Sequence, residues 1–340
     1  MSSQGQPDLR EPYVNTMLEY NNSVWLEIAR NAMACRFEVL LHPGKPYNGP
    51  EIALSALDTI TFLEQLLSVY IPTSELSLVN EQAFEAPVKV SESTFALLEL
   101  GLSVYERTSG AFDMTAAKLS KTWGFYRRQG KMPTDLEIRQ SLAEVGSDQI
   151  FLEAADRTVR FNKQLEVNPG GIGKGFALDC GASHLKREGI DDFAFHGGKS
   201  SILCFGHQSA NGSEQGWRIA VRHPEQSERI LGYLNLFDQA LGTSGPANQF
   251  FYFGGKRYGH IIDPRTGWPA EGMLSVTVLH RSAGWADALA TGLYVAGIDQ
   301  AIAYCEKNVD TVMLAILPGK REGECEVVTC NMLSGQWNRA

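Results

Sequence analysis

Asp287 and Thr291 stand four residues apart in "ADALAT" and offer a carboxylate and a hydroxyl. On a helix that spacing sets both side chains on one face, one turn apart. Hard oxygen donors of this kind suit Mg²⁺, which takes carboxylates, carbonyls, water and phosphate oxygens. An aspartate near a helix start also serves simply as a favourable first-turn charge. Upstream, "GKRYGHIIDPRTGWPA" gathers His260, Asp263, Arg265 and Thr266. His260 is a candidate general base near neutral pH. The alternative is an Asp-Pro turn beside an idle histidine. "TSGAFDMTAAKL" sets Phe112 and Asp113 after a Ser-Gly break. The ring is placed to stack on an aromatic ligand and the carboxylate to accept a hydrogen bond from it, or the pair is a helix cap followed by a buried aromatic. Tyr70 is a further aromatic at a predicted helix end.

One more stretch invites chemistry. "EVNPGGIGKGFALD" packs Gly170, Gly171, Gly173 and Gly175 around Lys174. It is not a P-loop, because Gly175 follows the lysine where Ser or Thr is needed. It is not a dinucleotide fingerprint either, because Phe176 or Leu178 stands where the third glycine belongs. A nucleotide held here is held in another way.

These residues need a scaffold, and the 340-residue chain is long enough to bury a large core. Lys and Arg number 30 against 39 Asp and Glu, a net charge of −9. That balance, without any basic block, argues against a nucleic-acid partner. The N-terminal stretch is polar and carries no signal-peptide pattern, and no apolar run reaches about 18 residues. A cytoplasmic location without a membrane segment is the expectation. Six scattered cysteines then read as free thiols.

Residues 1–24 read as a peripheral extension and 25–340 as a single catalytic unit. Apolar spacing predicts helices over 50–70, 91–110 and 175–188, and another over "GWADALATGLYVAG". A Thr134-x-x-Glu137 capping box opens one more. Strands are expected over 35–42, in "FAFHGGKSSILCFG", "GWRIAVRHP", "LSVTVLH" and "VDTVMLAILPG", with hairpins turning at Ala155-Asp156 and Gly254-Gly255. Helices and strands mix without regular βαβ alternation, which gives an α+β fold class.

Taken in order, "NAMACRFEVLL", "SVYIPTSELSLVN", "SGAFDMT", "NPGGIGKGFALD", "HGGKSS", "WRIAVRHP", "GTSG", "HIIDPRTGWPA" and "SVTVLHRSAGWADALATGLYVAG" resemble the ApbE-type FAD:protein FMN transferases, from about Met33 to Pro318. The resemblance implies a T-fold-like architecture of mixed, mainly antiparallel sheets with packed helices. It implies transfer of FMN from FAD, with Mg²⁺, to a Thr or Ser hydroxyl of an acceptor protein, releasing AMP. Met33, Tyr70, Ala111, Phe112, Asp113, Gly170, Phe176 and Ile261 match flavin-nucleotide contacts. Asp287 and Thr291 match metal ligands by side chain, and Gly173 by its backbone carbonyl. His260 is then the candidate base, Lys174 a source of positive charge at the phosphates, and Asp263 the next candidate base. The chain departs from the family pattern at Asn168-Pro169, Ala34-Cys35, His196 and Pro246-Ala247-Asn248. Two other readings share the same residues. One is a Mg²⁺-dependent FAD diphosphatase giving FMN and AMP, and the other is a flavin-binding protein without catalysis.

Overall fold

The computed structural model describes residues 13–20, 23–43, 46, 48–127, 129–209, 216–246, 249–321 and 323–340. Nine strands form one antiparallel sheet in the spatial order Tyr13–Tyr20, Ser23–Ala32, Cys35–Leu41, Phe193–Gly197, Ser201–Phe205, Gln239–Ser244, Ser275–His280, Val312–Pro318 and Cys325–Cys330. Both faces of its middle are buried, and side-chain alternation divides them. Phe193 and Phe195 enter one core and Ala194 the other; Val276 and Val278 enter the first and Leu279 the second. This explains why these strands read as nearly continuous apolar runs.

Helices roof the first core, except that the fourth and fifth pack in a third cluster with Trp123, Phe125 and Tyr258. We number the helices α1 (Gly49–Leu67), α2 (Glu75–Gln82), α3 (Glu92–Arg107), α4 (Ala117–Thr122), α5 (Asp135–Leu142), α6 (Gly173–Arg187), α7 (Ala283–Ala296) and α8 (Ile298–Lys307). The second core is closed by a three-stranded sheet of Trp217–His223, Gln226–Leu236 and Trp337–Arg339, which brings in Trp217, Leu234 and Leu236. The α+β expectation therefore holds. The capping box at Thr134 and Glu137 forms as predicted, with each side chain bonded to the other residue's backbone N–H.

Two expectations need amendment. The stretch read as a peripheral extension contains Tyr13–Tyr20, an edge strand paired with Ser23–Ala32; residues 1–12 and 21–22 lie outside the described residues. Helix α6 begins at Gly173, two residues before the predicted start, so the glycine loop runs directly into it.

The helix layer approaches the sheet closely where glycines allow it. A Cβ on Gly175 of α6 would lie 2.1 Å from the Ala283 carbonyl oxygen of α7. A Cβ on Gly242 would lie 2.5 Å from the backbone of Ala286. Helix α7 is thereby pressed between α6 and the sheet at the turn that carries Asp287.

The turn joining Ser23–Ala32 to Cys35–Leu41 is strained. Met33 and Ala34 both sit in the left-handed region, at φ 50° and 58°. A two-residue hairpin turn of this hand favours glycine. Ala34→Gly should therefore raise the unfolding free energy by about 1 kcal/mol. Chemical denaturation checks this, and an unchanged or lowered midpoint would show that the turn carries no strain.

Candidate functional site

Asp287 is only 5% exposed. Burying a carboxylate is costly unless polar partners meet it, and three do. The Ser201 hydroxyl donates to its Oδ1 at 2.7 Å and the Gly175 N–H to its Oδ2 at 3.1 Å. The Lys174 ammonium stands 3.5 Å from Oδ2. The start of α7, in contrast, is served by another residue. Asp179 of α6 accepts from the Ser282 hydroxyl at 2.6 Å and from the N–H groups of Ala283 and Gly284 at 2.8 and 2.9 Å. Asp287 is thus not the helix's first-turn charge; it faces the glycine loop and Ser201.

One turn along, the Thr291 hydroxyl lies 2.8 Å from that of Ser244, on the strand beneath. The loop residue set against it is Gly171, where an added Cβ would lie 3.5 Å from Thr291 Oγ1 and 3.2 Å from the Phe112 ring. Gly173, expected beside the metal residues, is the first residue of α6. Its N–H donates to the Pro169 carbonyl at 2.7 Å, and its added Cβ would meet the Pro169 ring. The hairpin turn at Met33 closes another side. The Met33 N–H donates to Glu64 at 2.7 Å. Burial pushes the neighbouring Cys35 thiol up to about 11, with Lys174 and Asp287 both acting on it. It is a neutral thiol.

The donor set is one carboxylate, hydroxyls and a glycine-rich backbone. Among the described residues no three His, Cys, Asp or Glu side chains gather as a metal site. A soft or zinc-type centre therefore has no side-chain framework here, whereas hard oxygens suit Mg²⁺.

His260 belongs to a second group. It follows the hairpin of Phe250–Phe253 and Lys256–Gly259. Its Nδ1 lies 3.1 Å from the Gln249 carbonyl, and its backbone N–H donates to the same oxygen. A carbonyl only accepts, so Nδ1 carries the proton and Nε2 keeps its lone pair in the neutral ring. Gln249 is itself fixed by its side-chain amide on the Phe125 carbonyl at 2.6 Å. Burial lowers the His260 pKa, against a smaller raising effect from the Gln249 bond. Asp263 has both oxygens engaged by Arg265, at 2.9 Å each, and shapes the Asp-Pro turn.

Contacts join the two groups. Gly110 lies against the Arg265 side chain, and Phe112, two residues on, packs between Gly171 and Gly292 of α7. Phe112 and Phe176 are buried, as is Ala111. Ile261 packs partly buried against the same core. Asp113 is taken up internally by the hydroxyls and N–H groups of Thr115 and Ser147. Gly170 donates its N–H to the Asn168 side chain at 2.9 Å. Tyr70, 69% exposed, stacks on Tyr126 at 5.6 Å. Of the departures, Ala247 and Asn248 lie outside the described residues.

The family model described as the ApbE family matches residues 33–315. The chain belongs to the ApbE family. A Vibrio cholerae protein named FAD:protein FMN transferase is 33% identical over 74% of this chain and 75% of its own. An Escherichia coli protein of the same name is 30% identical over 70% and 69%. Among solved structures, the ApbE protein of Thermotoga maritima superposes with a TM-score of 0.78 at 27% identity, covering 89% of this chain and 96% of that one. The flavin transferase ApbE of Vibrio cholerae gives 0.76 at 28% identity, covering 90% and 97%. These likenesses bear out the α+β ApbE architecture. No described helix is long and apolar enough to cross a membrane.

The glycines of this ApbE loop differ in what they tolerate. Gly175→Ala should cost about 1–3 kcal/mol of stability, because its Cβ strikes backbone. Gly173→Ala, whose Cβ would meet only the Pro169 ring at 3.3 Å, should cost clearly less. Thermal unfolding of the two variants checks the contrast; equal effects would contradict this packing.

Proposed function

We infer that this protein is an FAD:protein FMN transferase. In this reading it moves the FMN half of FAD onto a Thr or Ser hydroxyl of a target protein and releases AMP. The observation that carries it is the buried Asp287, tied to the glycine loop through Gly175 and set one turn from Thr291, in a chain whose ApbE relatives bear that name. The reach of the family match, residues 33–315, supports one catalytic unit over 25–340. The six free cysteines support action in a reducing, cytoplasmic setting.

Asp287 and Thr291 would hold Mg²⁺, with a loop carbonyl as third donor. Gly173, the first residue of α6 and next to Lys174, is the candidate for that carbonyl. Bound there, Mg²⁺ would neutralise charge on the diphosphate. The chain's own residues supply the rest. Lys174 brings an ammonium to the phosphate side of the site. His260 Nε2 accepts the proton of the acceptor hydroxyl. The hydroxyl oxygen bonds to the FMN phosphorus as the bond from that phosphorus to the AMP oxygen breaks, and AMP leaves with the bonding pair. Asp263, held by Arg265, positions the turn after His260.

Incubating the protein with FAD, Mg²⁺ and a protein acceptor tests the reading. Covalent flavin on the acceptor with stoichiometric AMP is expected. Free FMN and AMP alone would make water the acceptor, and intact FAD would remove the catalytic reading. Asp287→Ala should abolish turnover and Mg²⁺ binding while FAD retains its ring contacts; wild-type turnover would sink the metal assignment.

The pH profile is a second check. The His260 pKa is depressed, so the basic form persists to a lower pH than in a free histidine. The rate should fall as pH drops, with a midpoint below about 6.5. That limb should disappear in His260→Ala, with the rate down by about 10²–10⁴-fold. An unchanged profile in the variant would place the base elsewhere.

A further inference from the structure

The hairpin that leads into His260 carries aromatic rings that the core does not use. Of four successive aromatics, only Phe251 packs inward, against Trp123, Phe125 and Tyr258. Phe250, Tyr252 and Phe253 are 40%, 66% and 55% exposed. Trp268, beyond the Asp-Pro turn, is also exposed and sits edge-on to Trp123 at 5.2 Å. Exposed rings therefore flank the His260 segment on both sides. Clustered exposed apolar surface in a folded protein marks a contact site.

We propose that this aromatic hairpin is where the acceptor protein docks, binding the segment that carries the flavinylated Thr or Ser. The proposal rests on the transferase reading. Three observations select this occupant. First, a Thr or Ser side chain is short, so an acceptor backbone must pass within a few ångströms of the His260 ring. Both feet of the hairpin are there: Gly259 precedes His260, and Gln249 holds its Nδ1. Second, the two strands pair only with each other among the described residues, which leaves backbone groups open to an extended segment. Third, the basic residues of the hairpin are already matched. Lys256 pairs with Glu271 at 2.8 Å and Arg257 with Glu225. The Arg257 guanidinium also lies over the Phe250 ring at 4.0 Å. The surface thus offers rings and backbone rather than free charge. It fits an extended polypeptide with apolar residues flanking the acceptor, bound with little dependence on salt.

Photo-crosslinking in the cells of origin tests this with the full chain. A benzophenone amino acid is placed at Tyr252, at Phe253 and, as a control, at exposed Leu333. The adducts are examined for covalent flavin by in-gel fluorescence and mass spectrometry. Flavin-bearing adducts are expected from positions 252 and 253 and not from 333. Adducts without flavin from the hairpin, in cells that do contain flavinylated protein, would overturn the docking proposal alone. Absence of any flavinylated protein, with FAD left intact by the purified enzyme, would remove the transferase reading and the docking with it.

The captured acceptor then serves as substrate for a Tyr252→Ser/Phe253→Ser variant. Both positions are exposed, so the fold should hold. Transfer efficiency should fall by about tenfold or more through KM for the acceptor. FAD affinity, read by flavin fluorescence, should stay unchanged, as should the weak salt dependence of the wild type. Unchanged transfer would overturn the proposal. A parallel loss of FAD affinity would also overturn it, by assigning the rings to the flavin.

Discussion

A buried carboxylate has to be compensated, and the arrangement around Asp287 is organised by that requirement. Ser201, Gly175 and Lys174 come from the sheet, the start of α6 and its first turn. They converge only because α7 lies unusually close to both layers. A side chain at Gly175 or Gly242 would hold it away. Asp179 fixes the longitudinal register by taking the N-terminal donors of α7. The carboxylate is then satisfied on both oxygens while still bordering the glycine loop. A site of this kind is pre-organised, because the donors are held by helix and sheet rather than by mobile loops.

The second constraint is the tautomer of His260. A backbone carbonyl takes the Nδ1 proton, and burial disfavours the charged ring. The bond fixes the tautomer that leaves Nε2 unprotonated, and burial, outweighing the opposite pull of that bond, keeps the ring neutral. Gln249 does this through its backbone, so the sequence records only the side chain that anchors Gln249 to Phe125. The hairpin between Gln249 and His260 is therefore both the support of the proposed base and the most aromatic exposed surface beside it.

Much of this was legible in the sequence. The one-face spacing of Asp287 and Thr291, the capping box at Thr134 and the strand alternation of Cys35–Leu41 are local signals with local causes. The α+β class followed from the irregular order of elements. What was not legible depends on contacts between distant segments. Asp179 and Ser201 meet α7 from about a hundred positions away, with no spacing rule to announce them. Asp113 looked free to serve a ligand, and Ser147, 34 positions on, is brought to it only by folding; Asp263 is taken by Arg265, two residues away, a local pairing open to reading. That Gly171 is the glycine set against Thr291 is likewise invisible from residue type. The strand Tyr13–Tyr20 lies at a sheet edge in a stretch whose composition reads as polar. Helix α8 shows helical spacing in Ile298, Ala301, Ile302 and Cys305, a local signal in the sequence.

The central claim is that Asp287 and Thr291 hold a divalent cation at the diphosphate of FAD. Anomalous diffraction from crystals grown with Mn²⁺ and FAD tests it most directly. A single strong peak within coordination distance of the Asp287 carboxylate and the Thr291 hydroxyl, bridged to the diphosphate, is predicted. A cation bound elsewhere, or FAD bound with no cation at Asp287, would contradict it.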